Sequence, residues 1–151
     1  MIYTIGYQRL SHERLRAIMQ ALGIVKLVDV RSIPQSRRPG FGGRQLREAF
    51  PDQYLWKGDV LGGIKPGKPG TTHAGLRWAV EAGRSFHDHI LLLCVCHAPG
   101  SCHRHVLVAR QLLAMETDCR HIYEDEIVLA SELERALNDD DYEYKSEPLD
   151  L

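Results

Sequence analysis

Residues 89–106, HILLLCVCHAPGSCHRHV, carry the strongest structural signal in the chain. The first seven of these residues are almost wholly apolar, which is typical of a strand buried on both faces of a parallel sheet. Pro99 and Gly100 predict a turn. Ser101 is suited to cap a helix from Cys102 to Met115, because its hydroxyl can accept a hydrogen bond from a free backbone N–H. A strand followed directly by a helix is the repeating unit of α/β folds.

The rest of the chain continues the same alternation. Short β-branched and aromatic runs predict strands, and apolar residues at helical spacing predict helices. Further strands are expected at residues 2–6, 24–30, 54–56 and 119–123, and further helices at residues 11–22, 45–50, 72–83 and 128–137. This order predicts an α/β fold: a mostly parallel sheet with helices on both faces, in one three-layer domain.

One domain is expected over residues 1–137, followed by an acidic, flexible tail over residues 138–151. The 151 residues are the usual size of a single domain, and a hydrophobic fraction of 44% allows a normal core. No apolar run approaches the roughly 20 residues that cross a bilayer, and the N-terminus does not resemble a signal peptide. Three of the four cysteines cluster within nine residues, unlike a secreted disulfide framework. We therefore expect a cytoplasmic protein without a membrane partner, of open oligomeric state.

The charge of the chain is unevenly distributed. The net charge is −1, but residues 132–151 carry eight acidic side chains against two basic ones, which leaves residues 1–131 with a net charge of +5. Residues 31–47 hold five arginines and no acidic residue. The planar guanidinium group suits phosphate and carboxylate, so we expect an anionic partner. The alternative is a solvated arginine-rich loop, since runs of charge are mostly surface.

Polar and charged residues follow three of the predicted strands. The carboxyl ends of parallel strands meet at one edge of a sheet, where open α/β sheets bind their ligands. Long loops inside a compact domain are usually functional, and this chain has two, after Val30 and after Leu61. We expect one site at this edge, formed by Tyr7, Asp29, Arg31, Ser32, Arg37, Arg38, Cys96, His97, Ser101, Cys102, His103 and Arg104.

These residues predict a composite anion pocket. The helix start near Ser101 offers free N–H groups and a positive dipole end to an anion, and it favours the thiolate form of a cysteine placed there. Asp29 and His103 are expected to transfer protons, and Cys102 is expected to be a nucleophile or an anion contact. Cys96 and His97 are auxiliary candidates. The expected substrate or anion ligands are Tyr7, Arg31, Ser32, Arg37, Arg38, Ser101 and Arg104.

Each candidate also has a structural interpretation. Cys94 lies in the apolar strand and is expected to belong to the core, as buried cysteines usually do, whereas Cys96 is balanced between the two roles. Asp29 can instead anchor the surrounding loops by hydrogen bonds, and Tyr7 can be a plain aromatic at the rim. The turn from residue 101 to residue 104 can be a simple capped helix start.

Two known signatures do not fit the spacing. A cysteine phosphatase with Cys96 as nucleophile would need arginine where Cys102 stands. Cys96, His97, Cys102 and His103 are chemically able zinc ligands, but they lack the paired spacing of zinc motifs, and adjacent Cys-His residues seldom both bind one ion. A set that adds Cys119 and His121 would require a particular fold. The sequence therefore predicts no cofactor and keeps zinc as an alternative.

Segments between residues 2 and 123 resemble the family catalogued as "domain of unknown function 488". The segments are TIGY at residues 4–7, LVDVRSIPQSRRPGF at 27–41, LGG at 61–63, LLC at 92–94 and CHR at 102–104. The resemblance implies a compact α/β domain and brings no settled activity. The family's pattern commonly has a glutamate two residues after the strand cysteine, where this chain has Cys96. The resemblance thus implies changed or lost chemistry at that position, with added redox or metal sensitivity.

We expect an enzyme that acts on a phosphate-bearing substrate, either a nucleotide or a nucleic acid. One alternative is a non-catalytic nucleic-acid-binding module, whose binding would weaken steeply with salt. The pI near 6.7 counts against it, because dedicated nucleic-acid binders are usually more basic. The other alternative is rhodanese-like thiol or sulfur chemistry at a cysteine of low pKa.

Overall fold

The computed structural model describes residues 1–67, 70–84 and 87–151. Part of the second long loop predicted after Leu61, residues 68 and 69, lies outside this set. The strands of the described residues are β1 (Ile2–Gly6), β2 (Ile24–Asp29), β3 (Tyr54–Trp56), β4 (His89–Cys94), β5 (Cys119–Tyr123), β6 (Glu126–Leu129) and β7 (Ser146–Pro148).

These strands form one sheet in the order β3-β2-β4-β1-β5-β6-β7. The first five strands of that order pair in parallel, and β6 and β7 extend the sheet by antiparallel pairing. The predicted α/β class with a mostly parallel sheet is confirmed.

The helices are α1 (His12–Ala21), α2 (Gly43–Ala49), α3 (Gly58–Leu61), α4 (His73–Arg84), α5 (Arg110–Ala114) and α6 (Ala130–Asn138). The side chain of Ser11 accepts a hydrogen bond from the backbone N–H of Arg14 at 3.1 Å, as expected of the cap of α1. A π-helical segment, Arg104–Ala109, leads directly into α5, so a continuous helical stretch with a wider first part follows β4. The predicted start at Cys102 with Ser101 as cap is wrong, because the stretch begins at Arg104 with His103 in the cap position.

The core consists of two hydrophobic clusters on opposite faces of the sheet. Alternate strand residues separate them, since Leu91 and Leu93 lie in the first cluster while Leu92 and Cys94 lie in the second. Helix α1 packs on the first cluster through Leu15 and its neighbours, and α5 packs on the second through Leu112. Helices therefore cover both faces, as the apolar strand pattern predicts.

The carboxyl-terminal part differs most from the sequence prediction. Val128 and Leu129 belong to β6 rather than to a helix, because Glu124 adopts a left-handed conformation (φ 55°) and turns the chain back antiparallel to β5. The helix then begins at Ala130. Within the predicted tail, residues 146–148 form β7, and Leu149 is buried. The division into a domain and a flexible tail stays a prediction.

None of the helices in the described ranges is both long enough and apolar enough to cross a membrane.

A crevice is expected between β1 and β4. These strands are neighbours and parallel, but the helix after β1 packs on one face of the sheet and the helix after β4 packs on the other. The two connections therefore diverge at the carboxyl edge, which is where open α/β sheets place ligands.

Candidate functional site

The structure brings the three predicted polar segments to one edge of the sheet. The backbone N–H of Tyr7 donates to the carbonyl of Cys94 at 2.9 Å, and that of Val30 donates to Leu93 at 3.1 Å. The end of β4 is thus held between the segments that follow β1 and β2. The parallel register, with Gly6 beside Cys94 and Asp29 beside Leu93, produces this convergence.

Asp29 and Arg31 form a closed pair inside the protein. The Asp29 carboxylate is fully buried and Arg31 is 4% exposed. Oδ1 of Asp29 accepts from the backbone N and Nε of Arg31 at 3.1 and 2.8 Å, and Oδ2 accepts from Nη2 of Arg31 at 2.6 Å and from the Tyr54 hydroxyl at 2.7 Å. Nη1 of Arg31 donates to the carbonyl of Phe41 at 2.7 Å. This pair anchors the loops, and its hydrogen-bonding groups face protein atoms.

The electrostatics of the pair favour its charged form. Burial alone would lower the pKa of Arg31, but the hydrogen bond and charge of Asp29 outweigh it, and the pKa is raised. Burial and the hydrogen bond to Asp29 raise the pKa of Tyr54, so this phenol stays a donor. A carboxylate and a guanidinium that satisfy each other add little net charge to the edge of the sheet.

Most of the other predicted ligands near β1 and β2 also hold loops together. Ser32 is buried, and its hydroxyl donates to the carbonyl of Gly63 at 3.1 Å. Tyr7 is buried and stacks on Phe41 with ring centroids 5.1 Å apart. Arg38 donates to the backbone carbonyl of Gln8 at 3.0 Å.

Arg37 and Ser101 occupy different surroundings from these anchoring residues. Both side chains are exposed. Neither makes a hydrogen bond or ion pair with another residue of the part of the chain that the structure describes. They remain open to solvent.

Arg104 is a buried cation without an acidic partner. Its side chain is fully buried, and it donates to the Thr4 hydroxyl at 3.1 Å and to the carbonyls of Cys96 and His97 at 3.3 and 2.8 Å. Its Nε is buried without a hydrogen bond, and no carboxylate of the described residues forms an ion pair with it. Burial lowers its pKa, while the nearby Cys102 and Cys94 act in the opposite direction. An unpaired buried charge is energetically costly, so negative charge close to Arg104 would stabilise the protein.

A hydrogen-bonded chain connects Arg104 to the surface. His121 Nδ1 lies 2.6 Å from the Thr4 hydroxyl, His121 Nε2 lies 2.9 Å from His105 Nδ1, and His105 Nε2 lies 2.8 Å from the Glu134 carboxylate. A carboxylate only accepts, so each step is satisfied when both imidazoles are neutral and carry the proton on Nε2. Burial lowers the pKa of His105, and it lowers that of His121 well below its usual value, consistent with this state.

A cluster of two thiols and an imidazole lies beside Arg104. The Sγ atoms of Cys94 and Cys102 are 3.3 Å apart, and Cys94 Sγ is 3.4 Å from His103 Nδ1. Both thiols are buried and His103 is half-buried. His103 Nε2 lies 3.1 Å from the carbonyl of Val30 and must donate to it, which leaves Nδ1 as the acceptor in the neutral ring.

The two thiols of this cluster differ in acidity. The hydrogen bond from Cys102 lowers the pKa of Cys94 against the opposing effect of burial. The same contact, with burial, raises the pKa of Cys102 to about 12. Among these two thiols Cys94, which the sequence assigns to the core, is therefore the more acidic. Cys96 is exposed as a residue, but its thiol is partly shielded from solvent, and this raises the pKa of the thiol.

A pocket opens at the carboxyl edge between β1 and β5, next to the loop after β4. Its volume is about 130 Å³. His97 Nε2 is buried, has no hydrogen-bond partner among the residues that the structure describes, and lies 3.7 Å from the carboxylate of Glu124. Arg14 pairs with Asp125 at 2.6 Å, whereas Arg9 is exposed and makes no ion pair or hydrogen bond within the described ranges. The lining residues that carry charge or can titrate are Arg9, Arg14, His97, Glu124 and Asp125.

Four charged residues that line the pocket are not among the residues predicted from the sequence. Nothing in the local pattern of Arg9, Arg14, Glu124 and Asp125 shows that the start of α1 and the turn after β5 meet. Their position directly after strands β1 and β5 is the signal that could have found three of them. The expectation that Cys94 belongs to the core is confirmed, and its additional contact with His103 depends on the tertiary fold.

A family model described as "Domain of unknown function DUF488" matches residues 11–84. This range contains the DVRSIPQSRRPGF and LGG segments, and the resemblance expected from the sequence is confirmed there. No curated protein and no solved structure matches the chain.

Proposed function

We propose that this chain, which resembles the DUF488 family over residues 11–84, is an enzyme that acts on a phosphate-bearing substrate at the carboxyl edge of its sheet. The pocket beside Arg9 and His97 is the main support for the proposal. It brings together an arginine and a buried imidazole nitrogen that have no partner within the described part of the chain. Its place at the carboxyl edge of the sheet, next to the loop after β4, supports the same conclusion.

The pocket has room for one phosphate group. Its volume of about 130 Å³ is about ten times the roughly 10–15 Å³ that one water molecule needs. This volume accepts a phosphate and leaves the remainder of a nucleotide or nucleic-acid end to extend along the surface. Arg9 then provides the charge-assisted hydrogen bonds that phosphate favours.

Buried positive charge below the pocket supports an anionic ligand. Arg104 holds the carbonyls of Cys96 and His97, so its charge lies directly under the loop that forms one wall. Interactions between charges are stronger in such a poorly solvated place than in water. In this proposal Arg104 acts electrostatically from beneath the loop, and Arg9 takes the contact role that the sequence gives to Arg31.

In this proposal His97 transfers the proton. Its Nε2 faces Glu124 at 3.7 Å, a separation that one bound group or a small shift of the side chain can bridge. A histidine is suited to donate or accept a proton near neutral pH. Asp29 is not given this role, because both its oxygens are saturated by Arg31 and Tyr54.

The test is calorimetric binding of inorganic phosphate, AMP and a 5′-phosphorylated oligonucleotide to the wild type and to Arg9→Ala. Loss of a hydrogen bond between charged groups costs about 1.5–3 kcal/mol, so affinity should fall by roughly 10- to 100-fold. Arg77→Ala on α4 is the matched control, because Arg77 is also exposed but distant in sequence and fold from the pocket. Unchanged binding in Arg9→Ala would contradict the proposal.

Turnover distinguishes an enzyme from a binding module. The wild type should hydrolyse members of a panel of phosphate monoesters and diesters, measured as phosphate released from the monoesters and as alcohol released from the diesters. Hydrolysis should be strongly reduced in His97→Gln. Binding that falls steeply with salt, without turnover of any member of the panel, would favour the non-catalytic nucleic-acid-binding alternative. We also propose a cytoplasmic location, which the four free thiols support.

A further inference from the structure

We propose that Cys94, Cys102 and His103 form a zinc site with an open fourth coordination position. This site is separate from the phosphate pocket and does not depend on the proposed activity. The ligand atoms, two Sγ atoms and Nδ1, all lie within 4.8 Å of one another. Two thiolates and one imidazole are a ligand set that zinc uses in proteins, with water in the remaining position.

Two of the three ligand distances are close to those of a face of a tetrahedron, and the third, between Cys102 Sγ and His103 Nδ1, is within 4.8 Å. Zinc–sulfur bonds of about 2.3 Å and zinc–nitrogen bonds of about 2.0 Å place sulfurs about 3.8 Å apart and sulfur about 3.5 Å from nitrogen. The observed separations are 3.3 Å between Cys94 and Cys102 and 3.4 Å between Cys94 and His103. The sulfurs need to separate by only about 0.5 Å, which side-chain rotation can supply.

The surroundings of His103 orient it for a metal. Its Nε2 donates to the carbonyl of Val30 at 3.1 Å, which leaves the lone pair of Nδ1 directed toward the thiols. Histidine ligands in metal sites typically make such a hydrogen bond with the other ring nitrogen, because it fixes the tautomer and the ring orientation. The loop at Gly63 also packs against the imidazole of His103. A Cβ placed on Gly63 would lie 3.5 Å from the ring, and the Ser32 hydroxyl holds this loop by a hydrogen bond to the Gly63 carbonyl.

The charges of the ion and its ligand set balance. Zinc binding releases the protons of Cys94 and Cys102, and two thiolates neutralise one Zn²⁺. The buried Arg104, which has no carboxylate partner among residues 1–67, 70–84 and 87–151, interacts electrostatically with these thiols and favours their deprotonated form. The same arrangement places soft sulfur ligands where hard cations such as Mg²⁺ would bind poorly.

The test is metal binding by the reduced, chelator-treated full chain. Addition of Zn²⁺ should give a single bound zinc per chain, and Co²⁺ should produce a thiolate charge-transfer band. This band should lose about half its intensity in Cys94→Ser and in Cys102→Ser. Zinc affinity of each variant and of His103→Asn should fall by roughly 100-fold or more, since loss of an outer partner alone costs about 10–100-fold.

Cys119→Ala is the matched control, because Cys119 is a free, buried thiol on β5 outside the cluster. Its zinc affinity should stay within about twofold of the wild type. Circular dichroism identifies any variant that does not fold, and the wild-type stoichiometry decides the question without variants. Wild-type protein that binds no zinc, or cobalt without a thiolate band, would overturn the site. Phosphate binding by zinc-free protein is measured separately, so failure of one proposal is distinguishable from failure of the other.

Discussion

Breaking the Asp29–Arg31 pair should destabilise the fold far more than breaking a surface pair. Asp29→Asn leaves the guanidinium of Arg31 4% exposed and without its counter-charge. Removing one partner of a buried ion pair costs about 3–5 kcal/mol. For a domain of this size each kcal/mol lowers Tm by about 2–4 °C, so a decrease of roughly 6–20 °C is expected.

Asp125→Asn provides the matched control. Asp125 pairs with Arg14 at the same 2.6 Å distance, but the two side chains are 86% and 38% exposed. Exposed pairs contribute about 0–1 kcal/mol, so Tm should change by only a few degrees. Urea and thermal unfolding, followed by circular dichroism, measure both variants. The double variant Asp29→Asn/Arg31→Met should be more stable than Asp29→Asn alone, because it removes the unpaired charge. Equal, small effects of Asp29→Asn and Asp125→Asn would refute an anchoring role for Arg31.

Burial lowers the pKa of His121, so below about pH 6.5 the unfolded chain binds a proton that the native state excludes. The contribution of His121 to the free energy of unfolding should therefore be fully present above about pH 6.5. It should decrease by up to about 1.4 kcal/mol per pH unit below that pH. His121→Gln should reduce that slope in urea titrations between pH 7 and 5, and an unchanged slope would contradict this origin. Gly6→Ala should lower the free energy of unfolding by about 3 kcal/mol or more, because the new Cβ would lie 1.6 Å from a backbone oxygen of the loop after β4. Gly100→Ala is the control: the nearest atom to its Cβ is 3.7 Å away, so the free energy of unfolding should change by less than about 1 kcal/mol. Tyr54→Phe removes a 2.7 Å hydrogen bond to the Asp29 carboxylate and should cost about 1.5–3 kcal/mol by the same assay; a neutral result would show that the bond contributes nothing.

The fold was largely predictable because the burial of a strand or helix determines which of its residues are apolar, and this pattern is visible in the sequence. A strand covered by helices on both faces must be apolar along its length, and residues 89–94 show this directly. The hairpin of β5 and β6 has a weaker signal in the sequence. Its turn uses Glu124 in a left-handed conformation, where glycine or asparagine is usual, so the sequence gives no turn signal and predicts a helix two residues too early.

The meeting of the polar segments at one edge of the sheet was predictable, and the contacts of their side chains were less so. The residues after β1, β2 and β4 do meet, because parallel strands share an edge. What each side chain faces depends on tertiary contacts that spacing does not reveal. Arg31 turns back to Asp29 two residues earlier, and Arg104 points under the sheet edge toward Thr4, a hundred residues away in the chain. An arginine beside a buried strand is therefore as suited to anchoring as to binding ligand.

The most direct test of the proposed function is an electron-density map of crystals grown with inorganic phosphate or AMP. The proposal predicts a phosphate group in the pocket lined by Gly6, Arg9 and His97, with Arg9 and His97 Nε2 as contacts. The same density should be absent from crystals of Arg9→Ala. Phosphate bound only at the exposed loop around Arg37, or no phosphate at saturating concentration, would contradict the account.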